Sequence, residues 1–241
     1  MAVGTGRTAR LSRTGGSLPF ARMRSTPGTG HDGVMPGITF SAEYGAGGST
    51  VAPAVAERLG WSFVDRAITS AVAERLHLPE EAVESGGASR WQRFLGSLAA
   101  FAPAPGEGGA VLGEDAQIRD AMAAELRAAV ASGGAVVLGR AGACALLRER
   151  DVLRVRLYGP RQARLAQAAR IEGVDEGTAQ RRIDQVDRAR NAYVKRLYGR
   201  RADDPHLYHL QLDSTALSPE ACIDVVLTAW DRFSSSPAGR G

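Results

Sequence analysis

Two apolar spacings alternate along this chain. Strand segments begin at Ile38, Ala135 and Val152, and Ala135–Gly139 is a continuous apolar run with the density of a strand covered on both faces. Trp61–Val64 and Tyr208–Leu212 add two shorter strand segments. Between them, longer stretches repeat an apolar residue every three or four positions. Ser49–Leu59 carries Val51, Val55 and Leu59, and the stretch from Asp115 carries Ile118, Met122, Leu126 and Val130. Both predict helices, closed by Gly60 and by Gly133-Gly134. Pro53 is tolerated because it falls in the first helical turn, where N–H partners are missing anyway. Further helices are predicted at Ala67–His77, Arg90–Phe101, Arg161–Ile171, Thr178–Leu197 and Pro219–Phe233, with a short one after Arg140. Residues 78–114 are the least regular part and include a Pro/Gly-rich connection at Ala102–Gly113.

Strands alternating with helices predict a three-layer α/β domain built on a five-stranded parallel sheet. In such sheets ligands bind beyond the strand C-termini. Ser41–Ser49, Asp65 and Arg140 all fall there. The first of these follows a strand and opens a helix, the layout of a phosphate-binding loop. In the common form, G-x-x-x-x-G-K-[ST], backbone N–H groups cradle phosphates, a lysine reaches the outer ones and a hydroxyl holds Mg²⁺. Gly45, Ala46, Gly47, Gly48, Ser49 and Thr50 are the nucleotide-binding candidates, with Ser49 the metal ligand and Thr50 the competing hydroxyl. Ser49 is equally suited to capping the helix. Ala42 stands where the motif has its first glycine, and Gly48 where it has lysine. Lys195 is the chain's single lysine, so the replacement cation is expected to be arginine.

Composition narrows the partners. The chain has 241 residues, is 44% hydrophobic and has a net charge of +4. Residues 1–34 hold Arg7, Arg10, Arg13, Arg22 and Arg24 against Asp32, which equals that whole net charge and leaves the remainder balanced. The basic character is therefore a tail property, and no specific nucleic-acid partner is expected. This Gly/Ser/Thr/Arg-rich tail has no secretory apolar region and too few large apolar residues to fold alone, so it is expected to be disordered and dispensable. Residues 236–241 are expected to be disordered as well. No run approaches the roughly 18 apolar residues of a membrane helix. Cys144 and Cys222 have no metal-ligand spacing and fit a reducing, cytoplasmic setting.

Five segments in order resemble the cytidylate kinase-like branch of the P-loop nucleoside monophosphate kinases. Ser41-Ala-Glu-Tyr-Gly-Ala-Gly-Gly48 is similar to that branch's lysine-free S-R-E-[FY]-G-S-G-G loop. Leu59–Asp65 resembles the second strand, whose terminal Asp lies in the monophosphate site. Gly139-Arg140 resembles G-R-D, whose arginine contacts the monophosphate. Val186-Asp-Arg-Ala-Arg190 resembles the arginine-rich lid, and Leu212–Glu220 is close to L-D-S-T-x-L-S-x-E. The resemblance spans residues 37–233. It implies a kinase domain at 35–235, with a monophosphate-binding insertion at about 66–114 and an arginine lid at about 160–200.

That resemblance implies ATP and Mg²⁺ as cofactors and a small-molecule nucleotide as substrate, CMP or dCMP first. Arg140, Arg188 and Arg190 are the catalytic candidates, because arginine is always charged and bidentate toward phosphate. Asp65, Arg66, Arg140 and Arg182 are the substrate-binding candidates. Asp65 is equally suited to receiving N–H groups of a following helix, and Asp187 with Arg190 to a local ion pair. Two departures bear on specificity. Arg66-Ala-Ile68 replaces the S-G-A-x-Y-R of true cytidylate kinases, and Ala141 replaces the aspartate of G-R-D. The alternative expectation is a nucleotide-binding regulatory module with weak or lost catalysis. His206 and His209 are expected to be structural.

Overall fold

Five parallel strands form one sheet: β1 (Gly37–Ala42), β2 (Ser62–Val64), β3 (Ala135–Leu138), β4 (Val152–Tyr158) and β5 (Leu210–Asp213). Their order is β2-β3-β1-β4-β5. The computed structural model describes residues 36–65 and 112–236. The helices expected at Ala67–His77 and Arg90–Phe101 lie outside the described residues, as do the 1–34 tail, Arg66 and most of the 66–114 insertion.

β1 is central, with Ile38 in register with Val136 and Leu153, and Phe40 with Leu138 and Val155. These residues are buried because helices cover both faces of the sheet. On one face, Ile38, Phe40, Val136, Leu138 and Val155 pack with Val51 and Val55 of α1 (Gly48–Leu59), and with Ile223 and Val226 of the final helix, Pro219–Ser235. On the other, Ala135, Val137 and Val152 pack with Leu126 and Val130 of α2 (Leu112–Ala131). Burial of each large aliphatic side chain contributes about 1.5–3 kcal/mol, which makes this two-sided core the main support of the sheet.

After β3 comes the short helix α3 (Gly142–Ala145), and after β4 a helical hairpin, α4 (Arg161–Glu172) and α5 (Glu176–Tyr198). Gly173 ends α4 in the left-handed conformation, and the Asp175 carboxylate caps α5 by accepting from the Thr178 N–H at 2.8 Å. The hairpin closes on Leu165, Ala168, Ala179, Ile183 and Val186, and these surround Tyr44, the residue two beyond β1. That contact places the middle of α5 at the C-terminal end of β1. The final helix, Pro219–Ser235, is α6; it is anchored to the β2 side by the edge-on pair Trp61–Trp230, with ring centroids 4.8 Å apart.

Several boundaries differ from expectation, among them three element starts. α2 begins at Leu112 and so continues into the stretch expected to be a connection. α1 begins at Gly48, not Ser49. β5 begins at Leu210, not Tyr208, because Pro205–Leu207 forms one turn of 3-10 helix capped by the Asp204 side chain. Tyr208 instead donates its hydroxyl to the Ala202 carbonyl at 2.5 Å.

Candidate functional site

β1 has neighbours on both sides whose chain paths lead away in opposite directions, so its C-terminal end is the switch point of the sheet. The loop leaving it is a tight turn in which the Ala46 N–H donates to the Glu43 carbonyl at 3.0 Å. Gly45 and Gly47 have φ of 78° and 71°. Gly45 has a second reason to be glycine, since a Cβ there would lie 2.2 Å from the Arg164 carbonyl oxygen. Ala46 is fully buried, and its carbonyl accepts from the Ser214 hydroxyl at 2.8 Å. That serine belongs to the Leu212–Glu220 segment, so the segment supports the loop from β5.

Among the described residues, the N–H groups of Gly45, Gly47, Gly48 and Ser49 meet no acceptor. They open onto the N-terminus of α1, which has Gly47 as its cap, no side-chain cap and no acidic residue in its first turn. Such a bare helix start, with free amides and the positive end of the helix dipole, is suited to an anion. Capping, the alternative role of Ser49, falls to Gly47 instead. Ser49 is the second helical residue, and both it and Thr50 are exposed.

The cations around the loop are arginines, each already engaged. Arg156 on β4 donates to Glu43 at 2.8 Å. Arg164 on α4, 7% exposed, donates to the Gly159 carbonyl at 2.9 Å and the Tyr44 carbonyl at 2.8 Å. Its guanidinium also pairs with Glu43 at 3.1 Å and with Asp187 at 2.7 Å. Arg190 on α5 donates to the Ala42 carbonyl and to Asp187. Among the described residues three arginines thus face two carboxylates, an excess of one positive charge at the loop. Tyr44 is 4% exposed and joins loop to hairpin: its N–H donates to Asp187 at 3.1 Å and its hydroxyl to Glu172 at 2.6 Å. Burial, with Glu172 beside it, raises the Tyr44 hydroxyl far above the ordinary phenol range, so it remains a donor.

The predicted site residues separate into groups. Gly45 through Thr50, Arg190 and the carboxylate of Asp187 come together at the loop. Arg182 is drawn to Glu172 at 2.5 Å, where it braces the partner of the Tyr44 hydroxyl. Arg188 is exposed and forms no ion pair among the described residues. Asp65 follows β2, one strand removed from β1 across β3.

Arg140 was expected to present its guanidinium to the site; in the structure that group turns to α2. It donates through both terminal nitrogens to Glu125, at 2.9 and 3.0 Å, and its side chain is 1% exposed. Gly139, Arg140 and Ala141 all have positive φ, the last two being the non-glycine examples among the described residues. This left-handed turn directs the side chain away from the strand axis and under α2, and leaves its Nε buried without a partner.

The loop partners Glu43, Tyr44, Arg156 and Arg164 were not singled out from the sequence. Arg154 and Arg156 within an otherwise apolar strand were a usable signal. Arg154 is buried and donates to the Leu207 carbonyl at 2.9 Å, while Arg156 reaches the loop. Arg164 gave no such signal, because a single arginine on a polar helix is unremarkable.

A model of the cytidylate kinase-like family matches residues 37–216, from the first residue of β1 to just past β5. The chain belongs to the cytidylate kinase-like family. Among solved structures, an uncharacterized protein from Eubacterium ventriosum ATCC 27560 has a TM-score of 0.56 at 17% identity, covering 82% of this chain and 99% of its own. At that identity the likeness shows the fold alone. A gluconokinase from Sinorhizobium meliloti 1021 aligns with a TM-score of 0.43 at 15% identity, covering 83% and 95% of the two chains. A shikimate kinase from Bacteroides thetaiotaomicron aligns at 0.44 and 14%, covering 81% and 98%. No curated protein matches significantly. As a cytidylate kinase-like protein, the chain has its matched span across the whole sheet and the α4–α5 hairpin. Among the described residues, no helix is long and apolar enough to cross a membrane.

Proposed function

We propose that the chain transfers a phosphoryl group from ATP to a nucleoside monophosphate, with CMP or dCMP the first candidate acceptor. The observation that carries this reading is the row of N–H groups at Gly45, Gly47, Gly48 and Ser49 that meet no acceptor among the described residues. It lies at the sheet's switch point, on a bare helix start, with an excess of arginine around it. Those amides suit the donor phosphates, and the exposed hydroxyls of Ser49 and Thr50 fit a metal held mainly by the nucleotide itself. Among the described residues no group of three or more His, Cys, Asp and Glu forms a protein cage. Mg²⁺ habitually binds through few protein ligands plus substrate phosphates. When bound, the ion would neutralise charge between the phosphates.

The remaining task belongs to the chain's own residues. A monophosphate oxygen is already anionic, so aligning two mutually repelling groups and surrounding them with cations supplies most of the catalysis. Arg164 and Arg190 are held against the loop, and Arg188 stands exposed on the same helix as Arg190, available to a substrate. Arg140 enters this reading through Glu125: it orders the turn after β3, and contact with a monophosphate would require that pair to open. Asp65, Arg66 and Arg182 are proposed to complete the acceptor side.

A second reading, a nucleotide-binding regulatory module, is favoured by one specific observation. Gly48 replaces the lysine, and Arg140, Arg164 and Arg190 are all paired with carboxylates. Full-length protein incubated with ATP, Mg²⁺ and a panel of monophosphates, with ADP and diphosphate products quantified, separates the two. Diphosphate formed from CMP or dCMP supports the kinase. ATP binding without diphosphate from any monophosphate supports the module.

A further inference from the structure

Asp187 has three partners that an anionic phosphate oxygen would also choose. Its Oδ1 accepts from the Tyr44 N–H at 3.1 Å and from Arg190, and its Oδ2 accepts from Arg164 Nη1 at 2.7 Å. One partner is a loop amide, next in sequence to the free N–H of Gly45. The other two are guanidinium groups that also touch the loop, at the carbonyls of Tyr44 and Ala42. The carboxylate comes from the middle of α5, 143 residues away in sequence from Tyr44. An acidic side chain from outside the loop therefore occupies a cluster of anion ligands continuous with the loop's free amides.

We infer that Asp187 is a built-in competitor for the nucleotide's phosphates, holding the site's amide and two arginines until a polyphosphate displaces it. This rests on reading the loop as the phosphate site. Charge supports the exchange. With Asp187 in place, Arg164 and Arg190 share its single negative charge, and a phosphate approaching Gly45–Ser49 meets a carboxylate. With Asp187 displaced, both guanidinium groups are released toward the loop, where they can act as the cations that Gly48 does not supply. A tethered group competes at a high effective concentration, so its removal is felt directly as affinity. The exchange also frees α5 from the Tyr44 amide, so nucleotide binding and the position of the α4–α5 hairpin are coupled.

The test compares inorganic tripolyphosphate binding, by calorimetry at low salt, to the full chain and to Asp187→Asn and Asp184→Asn. Asp184 lies three residues earlier on the same helix and pairs with Arg161 at 3.0 Å instead of with Arg164 or Arg190, so its variant reports the general effect of losing one negative charge. Asp187→Asn is expected to bind roughly tenfold more tightly, the scale of removing one charge-assisted competitor, while Asp184→Asn changes binding less than about threefold. Weaker or unchanged binding by Asp187→Asn, or an equal gain in both variants, overturns the competitor role and leaves the loop reading intact. If neither the unmodified chain nor Asp187→Asn binds tripolyphosphate or ATP, the loop reading fails and the inference with it. Should Asp187→Asn not fold, the unmodified chain still decides. Its Tyr44 amide resonance must move on saturation with tripolyphosphate, and a resonance that stays in place overturns the exchange.

Discussion

Gly45 and Gly47 share a left-handed backbone but not a neighbourhood, and replacing each by alanine separates two physical costs. At Gly47, φ is 71° and the nearest atom to an added Cβ is the flexible end of Gln167, 3.1 Å away. Its cost is chiefly conformational, about 1–2 kcal/mol for a non-glycine residue in that region. At Gly45, φ is 78°, and the added Cβ would lie 2.2 Å from the backbone oxygen of Arg164 and 2.9 Å from its carbonyl carbon. Backbone in a packed helix cannot rotate away as a side-chain tip can. Either α4 or the loop must shift, adding about 1–3 kcal/mol of overpacking. Gly45→Ala should therefore lose about 2–5 kcal/mol in urea unfolding without nucleotide, and Gly47→Ala about 1–2 kcal/mol. Because the shift separates Arg164 from the Tyr44 carbonyl, Gly45→Ala should also weaken ATP binding more than Gly47→Ala does. Equal destabilisation by the two variants would refute the placement of α4 against the loop.

Three further outcomes follow from individual groups. Ser49→Ala should lower turnover and raise the Mg²⁺ needed for half-maximal rate while leaving the melting temperature nearly unchanged, because Ser49 is exposed and does not cap α1; kinetics identical to the unmodified chain at limiting Mg²⁺ would remove its hydroxyl from the metal role. Burial pushes the Cys144 thiol up to about 11, and burial also raises Cys222, so neither should react with iodoacetamide at pH 8 in the native protein, whereas both should after unfolding. Partial burial, followed by the nearby Arg154 charge, pushes His209 down to about 4, so its ring resonances should titrate near there and not near 6.5; a depressed folded value means the stability tied to the neutral ring is complete above about 6.5 and is lost as pH falls toward 4.

The three inner strands of the sheet were legible because they are buried on both faces. Ala135–Leu138 is continuously apolar and Val152–Tyr158 is apolar except for Arg154 and Arg156, and with helical spacing around them both have no other economical interpretation. The β5 boundary was missed because apolar content alone does not distinguish a strand from a capped turn. Asp204 and Pro205 were the local signal, a side-chain cap followed by a residue preset for the turn. At the site, glycine spacing located the loop, since positive φ at Gly45 and Gly47 is written directly into residue type. The loop's ionic partners were hidden, because Arg164 and Asp187 lie 119 and 142 residues beyond Gly45 and only the hairpin's fold brings them back. Arg140 was located correctly at the end of β3, but its direction depends on two non-glycine residues in the left-handed region, which residue type does not announce. Glu125, the acid that holds it, is one carboxylate among several on α2.

The lysine-free loop is proposed to bind the nucleotide's phosphates through its backbone. Calorimetry of ATP with Mg²⁺ on the full chain and on Gly47→Val tests this most directly. A β-branched side chain at Gly47 would crowd the approach to the amides of Gly47 and Gly48 and disfavour the left-handed backbone that aims them. The unmodified chain should bind ATP saturably and Gly47→Val not at all, with circular dichroism confirming that the variant is folded at the assay temperature. A folded Gly47→Val that binds ATP as tightly as the unmodified chain would contradict the proposal.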